Sequence, residues 1–270
     1  MGSHHHPARL VALAAIAAVA IGIFLAQPPM AQNPAFHLFA DSRALCGLAN
    51  FWNVASNLPF AAIGLAGLAV VLYRRRYARS DERLALVPLA CFFAGVSLVA
   101  AGSAHYHADP NNETLFWDRL PMTLTFGSLL ATMLADRVNA RFAVRLAFPV
   151  LATAGIASLL YWQSSEASGA GDLRPYFLLQ ALPMLLALAL IVLFPKARLL
   201  QARHLLTMLA LYGLAMACEQ HDWQIYRALN GAISGHSVKH ALAGLVTLIP
   251  LWALLNGRPT AEARPDRGAA

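Results

Sequence analysis

Two segments far apart in the chain carry the residues best suited to chemistry. In the first, Ser103 and His107 are four residues apart, so a helix places both side chains on one face, and Asp118 follows shortly afterwards. In the second, His236 and His240 have the same spacing. Three histidines that converge, with a carboxylate and a hydroxyl beside them, are the parts of a catalytic zinc site.

Each of these residues also has an ordinary structural interpretation. Asp118 is a residue type that caps helices, and Pro121 would then stand in the first turn of the capped helix. Ser103 in a membrane helix commonly donates to a carbonyl of the preceding turn. The pair His236 and His240 is harder to explain structurally, because ionisable residues at the buried ends of membrane helices are costly. Taken together, the residues favour the metal site.

The composition is that of a membrane protein. Of the 270 residues, 59% are hydrophobic and only 12% are charged, whereas a soluble domain of this length needs far more charge on its surface. Apolar runs long enough to cross a hydrocarbon core recur along the whole chain. We therefore predict an all-α, polytopic membrane protein: a seven-transmembrane-helix bundle with one extra N-terminal hydrophobic helix.

The apolar runs divide the chain into four parts. Residues 1–27 are predicted to form an N-terminal membrane helix or uncleaved signal anchor, and residues 28–50 an extracytoplasmic segment. Residues 51–256 hold the seven-helix core, and residues 257–270 form a cytoplasmic tail. The core runs are approximately Phe51–Tyr73, Arg83–Ser103, Arg119–Ala135, Val144–Trp162, Pro175–Phe194, Leu205–Cys218 and Lys239–Leu255.

Basic residues are concentrated in alternate loops and account for the net charge of +7. They begin with Arg74, Arg75 and Arg76 after the first core run and recur in every second loop up to the C-terminal tail. The positive-inside rule assigns these loops to the cytoplasm, so the charge indicates membrane topology and no nucleic-acid partner. Both histidine segments then fall on the opposite side. We expect a bacterial inner membrane, with the zinc site toward the periplasm.

Several spaced motifs resemble the alkaline ceramidase family. FWNVASN at 51–57 is similar to the family's FWNxxSN signature, and SAHYH at 103–107, followed by DRLPM at 118–122, is similar to its S-x-x-x-H…D-E-L-P-M segment. HSVKH at 236–240 matches its C-terminal H-x-x-x-H. The resemblance extends over about residues 51–255 and includes the broader superfamily of seven-helix membrane hydrolases, to which adiponectin-receptor-like proteins also belong.

The resemblance implies a cofactor and a reaction. Zinc would be bound by His107, His236 and His240, with Ser103 and Asp118 either supporting these ligands or acting in catalysis. In catalysis, Asp118 can serve as general base and Ser103 can donate to the oxyanion that forms on an amide carbonyl. The implied reaction is the hydrolysis of an N-acylated sphingoid base to a fatty acid and a free amine. The implied partners are therefore a ceramide-like membrane lipid and the bilayer that contains it.

The N-terminal side of the chain departs from the family pattern. Eukaryotic members have an acidic D-W-C-E-type segment and a Glu before FWN, which together imply a calcium site near the zinc. Here Asp41 and Asn50 offer oxygens at that place, two carboxylates fewer than in the family, which weighs against a tight calcium site. The extra N-terminal helix is a second departure.

Three alternatives remain open at this point. A seven-helix receptor or transporter also places polar residues inside a bundle, and a haem-binding membrane protein uses histidines as axial ligands. A haem pair usually comes from opposing helices, so His236 and His240 on one face fit zinc better. Finally, Cys46 and Cys218 are both expected on the oxidising side, where they form either a disulfide or two free thiols.

Overall fold

The structure, a computed structural model, describes residues 7–257. Its regular elements in this range are helical, so the predicted all-α class is confirmed. A short 3-10 helix at Pro34–His37 and a π-helical turn at Ala143–Ala147 accompany the α-helices. Apart from Gly257, the predicted tail lies outside the described residues. The α-helices are α1 (Pro7–Leu25), α2 (Phe51–Ala55), α3 (Leu58–Tyr77), α4 (Ser80–Ala108), α5 (Asn112–Arg137), α6 (Ala140–Phe142), α7 (Phe148–Ala167), α8 (Arg174–Leu193), α9 (Ala202–Gln220), α10 (Asp222–Ala228) and α11 (Gly235–Asn256).

Six helical segments within residues 7–257 are long and apolar enough to cross a membrane: α1, α2 with α3, α4, α6 with α7, α8, and α11. Two further helices, α5 and α9, form where the sequence predicts membrane spans and are long enough, but they are more polar. The chain is thus an integral membrane protein with an all-α bundle, while the count of seven core spans stays a prediction. Charged side chains within α5, such as Asp118 and Arg119, are sheltered because α5 packs against α4, α7 and α8.

The first core run is interrupted at Ser56 and Asn57, between α2 and α3. Pro59 stands in the first turn of α3, where its missing N–H costs nothing because that N–H has no helical partner. The break redirects the chain, so that Ser56 at the end of α2 faces the first two turns of α11 rather than lipid.

The two helices that carry Asp118 and the C-terminal histidines, α5 and α11, begin earlier than the sequence predicts. α5 starts after Asn111, whose side chain accepts from the backbone N–H of Thr114, while the Thr114 hydroxyl accepts from the Asn111 N–H in a capping box. Asp118 is therefore well inside α5, and its interpretation as a helix cap is wrong. α11 starts at Gly235, after the N-cap Ser234, so both of its histidines are helical.

Two glycines allow the helices to approach closely at the end of the bundle where these histidines lie. A Cβ atom on Gly102 of α4 would overlap the carbonyl oxygen of Trp117 on α5, and one on Gly235 of α11 would overlap that of Cys218 on α9. Each glycine is adjacent in sequence to a predicted site residue. The close approach therefore fixes the position of that residue relative to the neighbouring helix.

The three cysteines of the chain are free thiols, which contradicts the disulfide alternative. Cys46 is exposed on a tight turn that two backbone hydrogen bonds between Leu45 and Leu48 close, whereas Cys218 lies in the last turn of α9. The turn between Leu45 and Leu48 holds the Cys46 thiol at the protein surface.

Candidate metal centre

The three histidines predicted as metal ligands meet at one end of the bundle. His107 lies in the last turn of α4, and His236 and His240 lie on the first two turns of α11. Their side chains are buried, with exposed fractions of 1%, 5% and 3%. One ring nitrogen from each lies within 4.8 Å of the others, and the Nε2 atoms of His107 and His236 are 3.2 Å apart.

Polar contacts behind two of the rings indicate which nitrogen faces the cluster. The Ser56 hydroxyl donates to the carbonyl oxygen of Asn53 (3.1 Å), so it accepts from Nδ1 of His240 (2.7 Å). Nδ1 of His236 lies 3.5 Å from a carboxylate oxygen of Glu219. In the neutral tautomers that these contacts favour, the Nε2 lone pairs point into the cluster, as they do in metal-binding histidines. The donor set therefore fits zinc.

The segment predicted at 28–50 covers the cluster from outside the bundle. Phe39 packs against two of the imidazole rings, with centroid distances of 4.8 Å to His107 and 5.0 Å to His236. The side chain of Asn50 donates to the carbonyl oxygen of His107 (2.9 Å). Asp222 joins the cover to α11, since it accepts from the backbone N–H of Ala40 (2.9 Å) and from that of His236 (2.7 Å). Water is thus kept away from the outer side of the rings.

Ser103 and Asp118 approach the histidines from α4 and α5. Both residues line a cavity of about 220 Å³ that is also lined by His240, and the Ser103 hydroxyl lies beside the Asp118 carboxyl. The other polar residues at this end of the cavity include Glu219 and Lys239. Away from them the walls are apolar and include Phe92, Val96, Leu129, Met208 and Val246. Three of the five residues singled out from the sequence thus line the polar end of an apolar cavity, and His107 and His236 lie next to one of them, His240.

Three residues near the cluster were not assigned a role from the sequence. Ser56 stands in the FWNVASN motif, which marks the start of the core without indicating a contact to a histidine. Glu219 is an acidic residue at the end of an apolar run, and Lys239 stands between the two histidines of α11. An isolated charge next to a membrane span is the signal that could have identified the last two.

The oxygens of Asp41, one of the two residues considered for calcium, have partners within the chain. Both carboxylate oxygens of the buried Asp41 accept hydrogen bonds from the Arg43 guanidinium, at 2.8 and 2.6 Å, and the Asp41 carbonyl accepts from Asn53 (3.0 Å). Arg43 also donates to the carbonyl oxygen of Ala232 (3.0 Å). At this place the chain itself supplies the positive charge that a calcium ion would bring.

The fold and the cluster define an integral membrane protein with a candidate metal centre at the end of an apolar cavity. The sequence model of the Ceramidase family matches residues 46–255, which include all five predicted site residues. The chain therefore belongs to the ceramidase family, and the resemblance seen in its motifs is confirmed. A comparison with curated proteins finds no match. Family membership supports a hydrolase that acts on a membrane lipid.

Proposed function

We propose that this chain is a zinc-dependent amidohydrolase that cleaves the amide bond of a ceramide-like lipid into a fatty acid and a sphingoid base or related amine. The observation that carries the proposal is the convergence of His107, His236 and His240 beside Asp118 and Ser103. The three histidines would hold the zinc ion. When bound, zinc supplies Lewis acidity and lowers the pKa of a water ligand toward neutrality.

Two residues of the chain would move protons and stabilise charge. Asp118 takes the proton from the attacking water and returns it to the amine nitrogen as the carbon–nitrogen bond breaks. The hydroxyl of the water becomes part of the fatty acid. Ser103 donates a hydrogen bond to the carbonyl oxygen as negative charge develops there. Because both side chains lie in a largely apolar cavity, their interactions with developing charge are stronger than in water.

The cavity fits the acyl portion of such a lipid. Its apolar walls extend from the polar residues toward the middle of α4, α5, α9 and α11, and aromatic and aliphatic side chains suit a hydrocarbon chain. α8 and α9 both contribute lining residues, although they contact each other over only a short stretch. A lipid would then enter the cavity between these two helices, from the membrane rather than from water.

We also propose the orientation that the basic loops favour. The metal centre would face the periplasm of a bacterial inner membrane, with residues 1–27 as an uncleaved anchor, 28–50 as an extracytoplasmic cover and the C-terminus in the cytoplasm. The packing of α1 against α8 supports a retained N-terminal helix. A green fluorescent protein fused after Leu255 should fluoresce, and alkaline phosphatase fused there should be inactive. Active phosphatase at this position would overturn the orientation.

Metal analysis and lipid hydrolysis on the same purified protein test the function. We expect about one zinc per chain, no haem Soret band, and release of fatty acid from a fluorescent ceramide that a chelator abolishes and added zinc restores. A Soret band would support the haem-binding alternative. Stoichiometric zinc without any amide hydrolysis would contradict the proposed reaction but not the metal centre.

A further inference from the structure

Lys239 is a polar residue at the polar end of the cavity to which the proposed reaction gives no role. It lies on α11 between His236 and His240 and lines the same cavity as Ser103 and Asp118. Its positive charge is close enough to interact with Asp118 and with all three histidines. An ammonium group in this position is expensive to shelter from water unless it has an anionic partner.

Glu219 is a partner of Lys239, but it is shared. One carboxylate oxygen of Glu219 lies 3.3 Å from Nζ of Lys239 and also 3.5 Å from Nδ1 of His236. The ammonium group has three N–H donors, so this ion pair leaves donors for a ligand. The Lys239 side chain lines the cavity and is 17% exposed overall, so a ligand in the cavity can contact it.

Arg119, the other cation that lines the cavity, is held by contacts on one side, although its Nη1 atom is buried without a hydrogen-bond partner among the described residues. Its Nη2 atom donates to the side-chain oxygen of Gln32 (2.6 Å), and its guanidinium carbon lies 4.5 Å from the ring centroid of Trp162 and 5.0 Å from that of Tyr176. These contacts fix Arg119 between the aromatic rings and the N-terminal segment. Of the two cations, Lys239 is the one that stands between His236 and His240, next to the candidate metal ligands.

We propose that Lys239 binds the carboxylate of the fatty acid product and the acyl oxygen from which that carboxylate forms. The inference rests on the proposed function, because an acyl chain in the apolar part of the cavity puts its carbonyl carbon near His240, Asp118 and Lys239. A charge-assisted hydrogen bond is stronger to an anion than to a neutral carbonyl. Lys239 therefore favours the oxyanion and the product over the substrate, and the free fatty acid inhibits the enzyme.

The competing explanation is purely structural: the ion pair would only tie α11 to α9. The two explanations differ in what they expect of Glu219. If the ion pair only holds α11 against α9, Glu219→Gln breaks this contact just as a change at Lys239 does. If Lys239 binds an anion, Glu219→Gln removes a competing negative charge and leaves the ammonium free for the ligand.

Fluorescence binding of cis-parinaric acid and of the matching uncharged alcohol at pH 8 separates these explanations. The full-length protein is used, with its zinc content measured in every sample. We expect the acid to bind wild type more tightly than the alcohol, and Lys239→Met to weaken acid binding about tenfold without changing alcohol binding. Lys239→Gln, which keeps a polar tip for Glu219, should show the same selective loss. Glu219→Gln should bind the acid at least as tightly as wild type.

Equal losses for acid and alcohol, or loss of acid binding in Glu219→Gln, would refute the role of Lys239. So would a wild-type protein that does not distinguish acid from alcohol. Because binding needs no turnover, the result is independent of amide hydrolysis. Selective, Lys239-dependent acid binding by a protein that cleaves no ceramide would contradict the proposed reaction and leave this assignment standing.

Discussion

α5 carries the same dipeptide twice, as Asp118–Arg119 in its second turn and as Asp136–Arg137 in its last turn, about 27 Å apart along the helix axis. At the second pair, Asp136 accepts from the backbone N–H groups of three consecutive residues, 198–200, at 2.8 to 2.9 Å. Arg137 donates to the carbonyl oxygens of Phe194 (2.8 Å) and Leu200 (2.6 Å). Both side chains thus hold the chain between α8 and α9.

The first pair has different surroundings. Among the described residues, Asp118 has the Ser103 hydroxyl beside it and a cavity in front of it, rather than a set of backbone amides. Arg119 is held by Gln32 and aromatic rings. A carboxylate whose lone pairs are taken by backbone N–H groups can only stabilise the fold, whereas one that faces a cavity is free to accept a proton. Asp136 thus holds the fold together, while Asp118 faces the cavity in which the proposed reaction would take place.

The largest effect on zinc binding and hydrolysis is expected from removing a histidine of the cluster, which lies at the Asp118 end of α5. His240→Ala should lose zinc and hydrolysis together, because one of three protein ligands is gone. His105→Ala is the matched control, since this exposed histidine is on the same helix as His107 but outside the cluster, and it should retain both. Zinc is measured by inductively coupled plasma mass spectrometry. Full zinc occupancy in His240→Ala would refute the ligand assignment.

Exchanging each aspartate for asparagine tests the comparison directly. Asp118→Asn should keep its zinc and its unfolding temperature but lose about 10²–10⁴-fold in turnover, because the amide cannot accept the proton. Asp136→Asn should lower the unfolding temperature while each folded molecule keeps its turnover. Rates per bound zinc and thermal unfolding are measured on both. If Asp118→Asn hydrolyses ceramide at the wild-type rate, Asp118 has no catalytic role.

Arg137→Met should destabilise the protein by about 2–4 kcal/mol, because it leaves the buried carbonyl oxygens of Phe194 and Leu200 without this donor. The molecules that remain folded should bind zinc as wild type does, since the contacts of Arg137 lie at the opposite end of α5 from Asp118. Denaturant unfolding in detergent gives the stability, and metal analysis the occupancy. A loss of zinc without a loss of stability would mean that the two ends are not independent.

The smallest effect is expected at Ser56, which touches the cluster through a single hydrogen bond. Ser56→Ala removes the acceptor that orients His240 and should weaken zinc binding about tenfold, with turnover at saturating zinc nearly preserved. Competition with a zinc-binding dye measures the affinity. Ser97→Ala is a suitable control, because its hydroxyl bonds to a carbonyl of its own helix. Unchanged affinity in Ser56→Ala would show that Nδ1 of His240 needs no partner.

The sequence determined the fold class and the members of the candidate site. Long apolar runs require helices in a membrane because backbone groups must be paired within each segment. Residues four apart on a helix share a face whatever surrounds them, so Ser103 with His107, and His236 with His240, could be paired without coordinates. Alternating loop charge then placed the two pairs on one side. All of these inferences depend on local geometry or on composition.

Only the tertiary structure decided the contacts that complete the site. The start of α5 at Asn112, which makes Asp118 an interior residue, depends on a cap that the apolar pattern does not reveal. The partners of the histidines come from other parts of the bundle: Ser56 lies at the end of α2, far from His240 in sequence, and Glu219 lies on α9. Such contacts depend on how helices rotate and approach one another, as the clash expected at Gly235 shows, and no local pattern encodes that packing.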